Sequence, residues 1–199
     1  MQEHIRQLFS ENIQTMIASS EALSGPIEQS ALMIVQSLIS GGKVLCCGDG
    51  ASASLAGHFA QLLLDQFETE RPCLPALALQ ADMSSLQPGN QINAQYLARQ
   101  IKALGHNADV LLVISLTGAE HSLIKAVEAA LTNDMKVIAL TPDNMSPDNN
   151  GELSGLLNQQ DVELKVTAHS PARLFESYTF LLHALCELID MTLFPQQGE

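Results

Sequence analysis

The chain has 199 residues, with 22 Asp plus Glu against 9 Lys plus Arg, a formal charge of −13, and 46% of its residues are hydrophobic. This length predicts one compact domain spanning 1–199, large enough to bury more than half of its unfolded surface. The acidic excess repels nucleic-acid phosphates and anionic membrane surfaces, so it disfavours direct binding to either.

The opening Met1-Gln2-Glu3-His4-Ile5-Arg6 is amphipathic, with no basic segment leading into an apolar one, and no uncharged apolar run approaches 18 residues. The chain therefore reads as a cytoplasmic protein. Residues 2–23 place Ile5, Leu8, Phe9, Ile13, Met16 and Ile17 at helical spacing. A second helix is expected after Pro26, carrying Ile27, Ala31, Ile34, Val35 and Leu38, with Gly41-Gly42 ending it. Lys43-Val44-Leu45-Cys46-Cys47 reads as a buried strand. Its two cysteines, like Cys73 and Cys186, belong to no Cys-x-x-C pair, and small core residues are the expectation over a redox role.

The pattern then alternates between the two periods. Helices are expected over 54–68, 92–104 and 122–131, and strands over 75–79, 110–116 and 136–141. A Pro/Asn/Asp/Gly-rich loop over 142–151 precedes a short helix near 152–157, a strand over 162–166 and a closing helix over 171–191. Strands alternating with helices predict an α/β three-layer sandwich with a five-stranded parallel sheet, preceded by the N-terminal helix.

Ligands of such sheets gather at the carboxyl ends of strands near the switch point, so the loops after the first and third strands carry the most information. The first reads Gly48-Asp49-Gly50-Ala51-Ser52, and the second Ser115-Leu116-Thr117-Gly118-Ala119-Glu120-His121-Ser122. Glycines, hydroxyls and free N–H groups at a helix start suit a phosphorylated small molecule. Neither loop is a P-loop or a dinucleotide fingerprint, and each serves equally as a plain strand-to-helix turn.

Cys47-Gly48-Asp49-Gly50-Ala51-Ser52, His58-Phe59-Ala60, Ile114-Ser115-Leu116-Thr117-Gly118 and Ala172-Arg173-Leu174-Phe175-Glu176 together resemble the sugar isomerase (SIS) domain family, closest to its sedoheptulose 7-phosphate isomerase branch. In that branch the resemblance implies a His and a Glu one helical turn apart on the first helix after the sheet begins, and a Gln and a His on the last helix, which also ligate zinc where one is bound. Here those positions read His58 with Leu62, and Phe175 with His183. Leucine neither accepts a proton nor binds a metal. No catalytic residue, cofactor or metal is therefore expected, and His58 and His183 are vestigial positions.

Gly48, Asp49, Gly50, Ser52, Ser115, Thr117, Glu120 and Ser122 would line a vestigial phosphosugar pocket. Glu120 stands where the family has a serine facing phosphate, and its carboxylate would satisfy the positive helix start and repel a dianion. Asp49 replaces a common Asn, and Gly89-Asn90-Gln91 departs from the family pattern, as does the long loop over 142–150.

More narrowly, the opening residues, Phe67-Glu68-Thr69-Glu70-Arg71-Pro72, residues 102–106, residues 125–130 and Thr192-Leu193-Phe194-Pro195 resemble the branch of that family associated with the replication initiator DnaA. That resemblance implies a homotetramer, packed through the helices of residues 1–40, that binds DnaA and promotes its assembly at the chromosomal origin. It assigns Leu193 and Phe194 to the initiator surface. By residue type alone these two could equally cover their own core or a neighbouring subunit. Three function classes follow: a catalytically silent adaptor, an isomerase, and a phosphosugar sensor without turnover.

Overall fold

The structure, a computed structural model, describes residues 1–80, 94–143, 152–168 and 170–195. The expectations placed on Gly89-Asn90-Gln91, on residues 144–151 and on the start of the helix over 92–104 lie outside the described residues.

Five short segments form β1 (Val44–Gly48), β2 (Ala76–Leu79), β3 (Val110–Ile114), β4 (Lys136–Pro142) and β5 (Val162–Val166), the first three wholly apolar and β5 alternating Val162, Leu164 and Val166 with Glu163 and Lys165. They pair in parallel in the order β2-β1-β3-β4-β5. The period of two along each strand sorts side chains between the faces. Val44 and Cys46 face one core and Leu45 and Cys47 the other, and both thiols are fully buried, which pushes Cys47 up to about 12. The first core is closed by α1 (Gln2–Ile39), α2 (Ser52–Leu64) and α5 (Pro171–Leu193), through Ile34, Leu55, Phe59 and Leu181. The second is closed by α3 (Tyr96–Leu104) and α4 (His121–Thr132), through Leu97, Ile101, Leu123 and Val127. This is the three-layer α/β sandwich with its N-terminal helix.

Several boundaries differ from the periodicity. The expected pair of N-terminal helices is one continuous helix of 38 residues with Pro26 inside it. Proline removes one backbone donor, but Ala22, whose carbonyl would have received that bond, is exposed, so water can satisfy it. The helix expected over 54–68 runs from Ser52 to Leu64 and stops where Arg71, a few residues further on, takes the carbonyls of Leu62 and Leu63. The short helix near 152–157 is a single 3-10 turn, Ser154–Leu156.

At the end of α1, Gly41 adopts φ +79°, and a Cβ on Gly42 would collide with the carbonyl of Ala108. These glycines let the chain turn tightly from α1 into β1. No helix among the described residues is long and apolar enough to cross a membrane.

Candidate functional site

The strand order reverses between β1 and β3, so the loops leaving these two strands flank one crevice. In the first loop Gly50 has φ +58°, and a Cβ on Gly48 would strike the backbone of Ser52. The Ser52 hydroxyl is fully buried, donates to the Asp49 carbonyl and accepts from the Asp49 N–H, each at 2.9 Å. It closes its own loop. A hydrogen bond from the Ser122 hydroxyl to the Asp49 carboxylate ties this loop to the start of α4. Tyr96, which the sequence patterns did not single out, stands beside Ser122 and Asp49. Burial, reinforced by the Asp49 charge, pushes its phenol up to about 12.

In the second loop Glu120 Oε1 accepts from the N–H groups of Leu116 at 2.9 Å and Thr117 at 3.0 Å, while Oε2 receives the Ser115 hydroxyl. Gly118, at φ +76°, donates its N–H to Ser115 Oγ at 2.6 Å, and Ala119 donates to Thr117 Oγ1 at 3.3 Å. The expectation that Glu120 would cap the helix start is corrected here: its side chain makes no cap bond to α4. The longer Glu side chain reaches back instead, to the N–H groups of Leu116 and Thr117. Behind the loop, the buried Tyr178 hydroxyl on α5 donates to the Ser115 carbonyl at 2.9 Å. Burial first, then the charges of Glu120 and Glu163, raise the Tyr178 pKa, so this donor keeps its proton.

His58 on α2 and His183 on α5 meet with their Nε2 atoms 2.8 Å apart. The Phe67 ring sits 5.4 Å from the His183 ring. Leu62 and Phe175 are partly buried and pack against the first core. Burial, and then the neighbouring His183, hold His58 below its ordinary pKa. Zinc does not fit this set: two imidazole nitrogens at hydrogen-bond distance point at each other, and the other two positions offer only carbon. Among the described residues no group of three His, Cys, Asp or Glu stands close enough to hold a metal ion.

The end of this helix pair holds a second feature. The Arg71 side chain is 2% exposed and donates from Nε to Asp190 Oδ1 at 2.7 Å. Its remaining N–H groups serve the carbonyls of Leu62, Leu63, Asp65 and Pro72. One guanidinium thus ends α2 and binds it to α5. A cavity of about 520 Å³ opens beside it, with Phe67, Met191 and Phe194 among its walls. Leu193 and Phe194 are both partly buried against the first core, and Phe194 also faces the cavity. Sequence reading missed the cavity, because a segment before β2 and the end of α5 build it together; Arg71 close behind Glu68 and Glu70 is the trace it leaves in the chain.

Residues 8–142 match the SIS domain. The chain is 49% identical to the DnaA initiator-associating protein DiaA of Edwardsiella ictaluri (strain 93-146) and 47% identical to that of Escherichia coli (strain K12), over 201 residues that cover 100% of both chains each time. Among solved structures it is similar to a phosphoheptose isomerase from Francisella tularensis, with 39% identity, a TM-score of 0.85, and 95% of this chain and 97% of that one covered. The phosphoheptose isomerase of Neisseria gonorrhoeae matches at 37% identity and TM-score 0.83, over 95% and 98% of the two chains. The chain belongs to the SIS domain family.

Proposed function

We propose that this SIS protein is a catalytically silent adaptor in the cytoplasm, which binds the replication initiator DnaA as a homotetramer and promotes its assembly at the chromosomal origin. The observation that carries this reading is the state of the ancestral site. Glu120 occupies the loop donors that a sugar phosphate needs, and Leu62 offers no base for moving a proton between carbons. Similarity along the whole chain to proteins named for association with DnaA supports this partner. The whole chain acts as one SIS domain.

Residues 1–40 serve self-association in this reading, supported by Ile5, Phe9, Ile13 and Ile17, which leave apolar side chains in water along the first half of α1. A tetramer offers several initiator sites, so bound neighbours meet at a raised effective concentration. The charge of −13 keeps the adaptor itself off DNA. Leu193 and Phe194 at the end of α5 form the initiator contact.

Co-purification with DnaA tests the proposal. The wild-type chain should retain DnaA, and the Leu193→Ala, Phe194→Ala pair should lose it with the oligomer intact; undiminished retention by that variant removes these residues from the contact. The similarity to phosphoheptose isomerases favours a second reading as an enzyme, and turnover of sedoheptulose 7-phosphate by the wild-type chain would establish it.

A further inference from the structure

The cavity at the end of the α2–α5 pair has one chemical character. Phe67, Met191 and Phe194 give it apolar walls, and Met191 is 62% exposed. Glu68, Glu70 and Glu187 stand exposed on its lining. Asp190 also lines it, and while its Oδ1 takes the Arg71 guanidinium, its buried Oδ2 has no hydrogen-bond partner. Arg71 is the cation of the lining, and its donors are committed to Asp190 and to four backbone carbonyls. An anion entering here would meet carboxylates and no available donor from Arg71.

Glu68 adds an independent sign. It has φ +45°, in a tight turn where the Thr69 N–H donates to the Phe67 carbonyl. A glutamate is rarely found in this left-handed region, and such strain concentrates at ligand clamps. The volume of about 520 Å³ lies within the range of roughly 300–1,000 Å³ usual for binding pockets.

We propose that this cavity is a socket for an arginine flanked by an apolar side chain on the partner protein. The inference rests on reading Leu193 and Phe194 as the partner surface, and it names what that surface receives. A guanidinium is planar, so it can lie on the Phe194 or Phe67 ring while its N–H fork meets the acidic rim of Glu68, Glu70 and Glu187. The adjoining apolar side chain covers Met191. A metal ion alone does not satisfy this lining, since the described acids make no cluster of metal-binding geometry.

A fluorescein-labelled tetrapeptide of alternating arginine and leucine, and its counterpart with glutamine for arginine, probe the socket directly by anisotropy on the full chain. The arginine peptide should bind at least about tenfold tighter, and the Glu68→Gln, Glu70→Gln, Glu187→Gln triple variant should erase that difference with its melting temperature unchanged. Equal binding of the two peptides, or no binding of either, overturns the proposal. The same variants against DnaA separate the two readings. If the triple variant captures DnaA normally while the Leu193→Ala, Phe194→Ala pair does not, the socket is wrong and the adaptor stands. If the peptides are discriminated but DnaA is not captured, the socket stands and the initiator reading falls.

Discussion

The Nε2 atoms of His58 and His183 lie 2.8 Å apart, joining α2 to α5 across 125 residues of sequence. One ring must donate and the other accept, so at least one imidazole is neutral in the folded state. Burial, with the His183 charge second, keeps the folded pKa of His58 below its ordinary 6.5, so at mildly acid pH the native state binds fewer protons than the unfolded one. Stability then rises with pH through the window just below 6.5 and is lost as pH falls through it. Urea midpoints measured across that window should drop on acidification, and His58→Gln should flatten the slope. A slope identical in the variant would show that the pair is not its source.

Arg71→Ala should be among the most damaging single changes in the chain. It removes the partner of Asp190 and bares the last carbonyls of α2, all in a setting where the arginine is 2% exposed. Breaking a buried ion pair from one side costs about 3–5 kcal/mol. Arg71→Lys should recover little of it, because an ammonium cannot serve a carboxylate and several carbonyls in the same plane. Denaturant unfolding measures both, and a loss under about 1 kcal/mol for the alanine variant would refute a structural role of this size.

Glu120→Ser should reopen the loop after β3 to anions. The variant frees the N–H groups of Leu116, which is partly buried, and Thr117, which is exposed. Phosphate or a phosphosugar at ten times its Kd would then return about 1.4 kcal/mol, a rise of about 3–6 °C in melting temperature. The wild-type chain should show no such rise, and a thermal-shift titration of both proteins decides it.

The strands and the layer order were readable because β1 and β3 are short apolar runs buried on both faces and β5 alternates apolar with charged residues, properties local to each strand's own residues. The crevice was readable for the same reason: Gly48, Gly50, Ser115 and Gly118 mark sharp turns whatever lies around them. Three features were not legible. Pro26 looked like a helix boundary, and only the exposure of Ala22 makes it tolerable. The end of α2 is set by Arg71, whose side chain folds back onto the carbonyls of Leu62 and Leu63 and leaves no periodic signal. The direction taken by the Glu120 carboxylate depends on side-chain length and on where the loop N–H groups point, and residue type alone placed it at the helix start.

Glu120 is covalently part of the loop it fills, whereas a metabolite must be present at a sufficient concentration to fill the same donors. The shape of the loop, and of the Tyr178 contact behind it, is therefore uncoupled from the supply of any soluble anion. Under the adaptor reading, a scaffold built this way keeps this loop filled whatever the level of sugar phosphates in the cell.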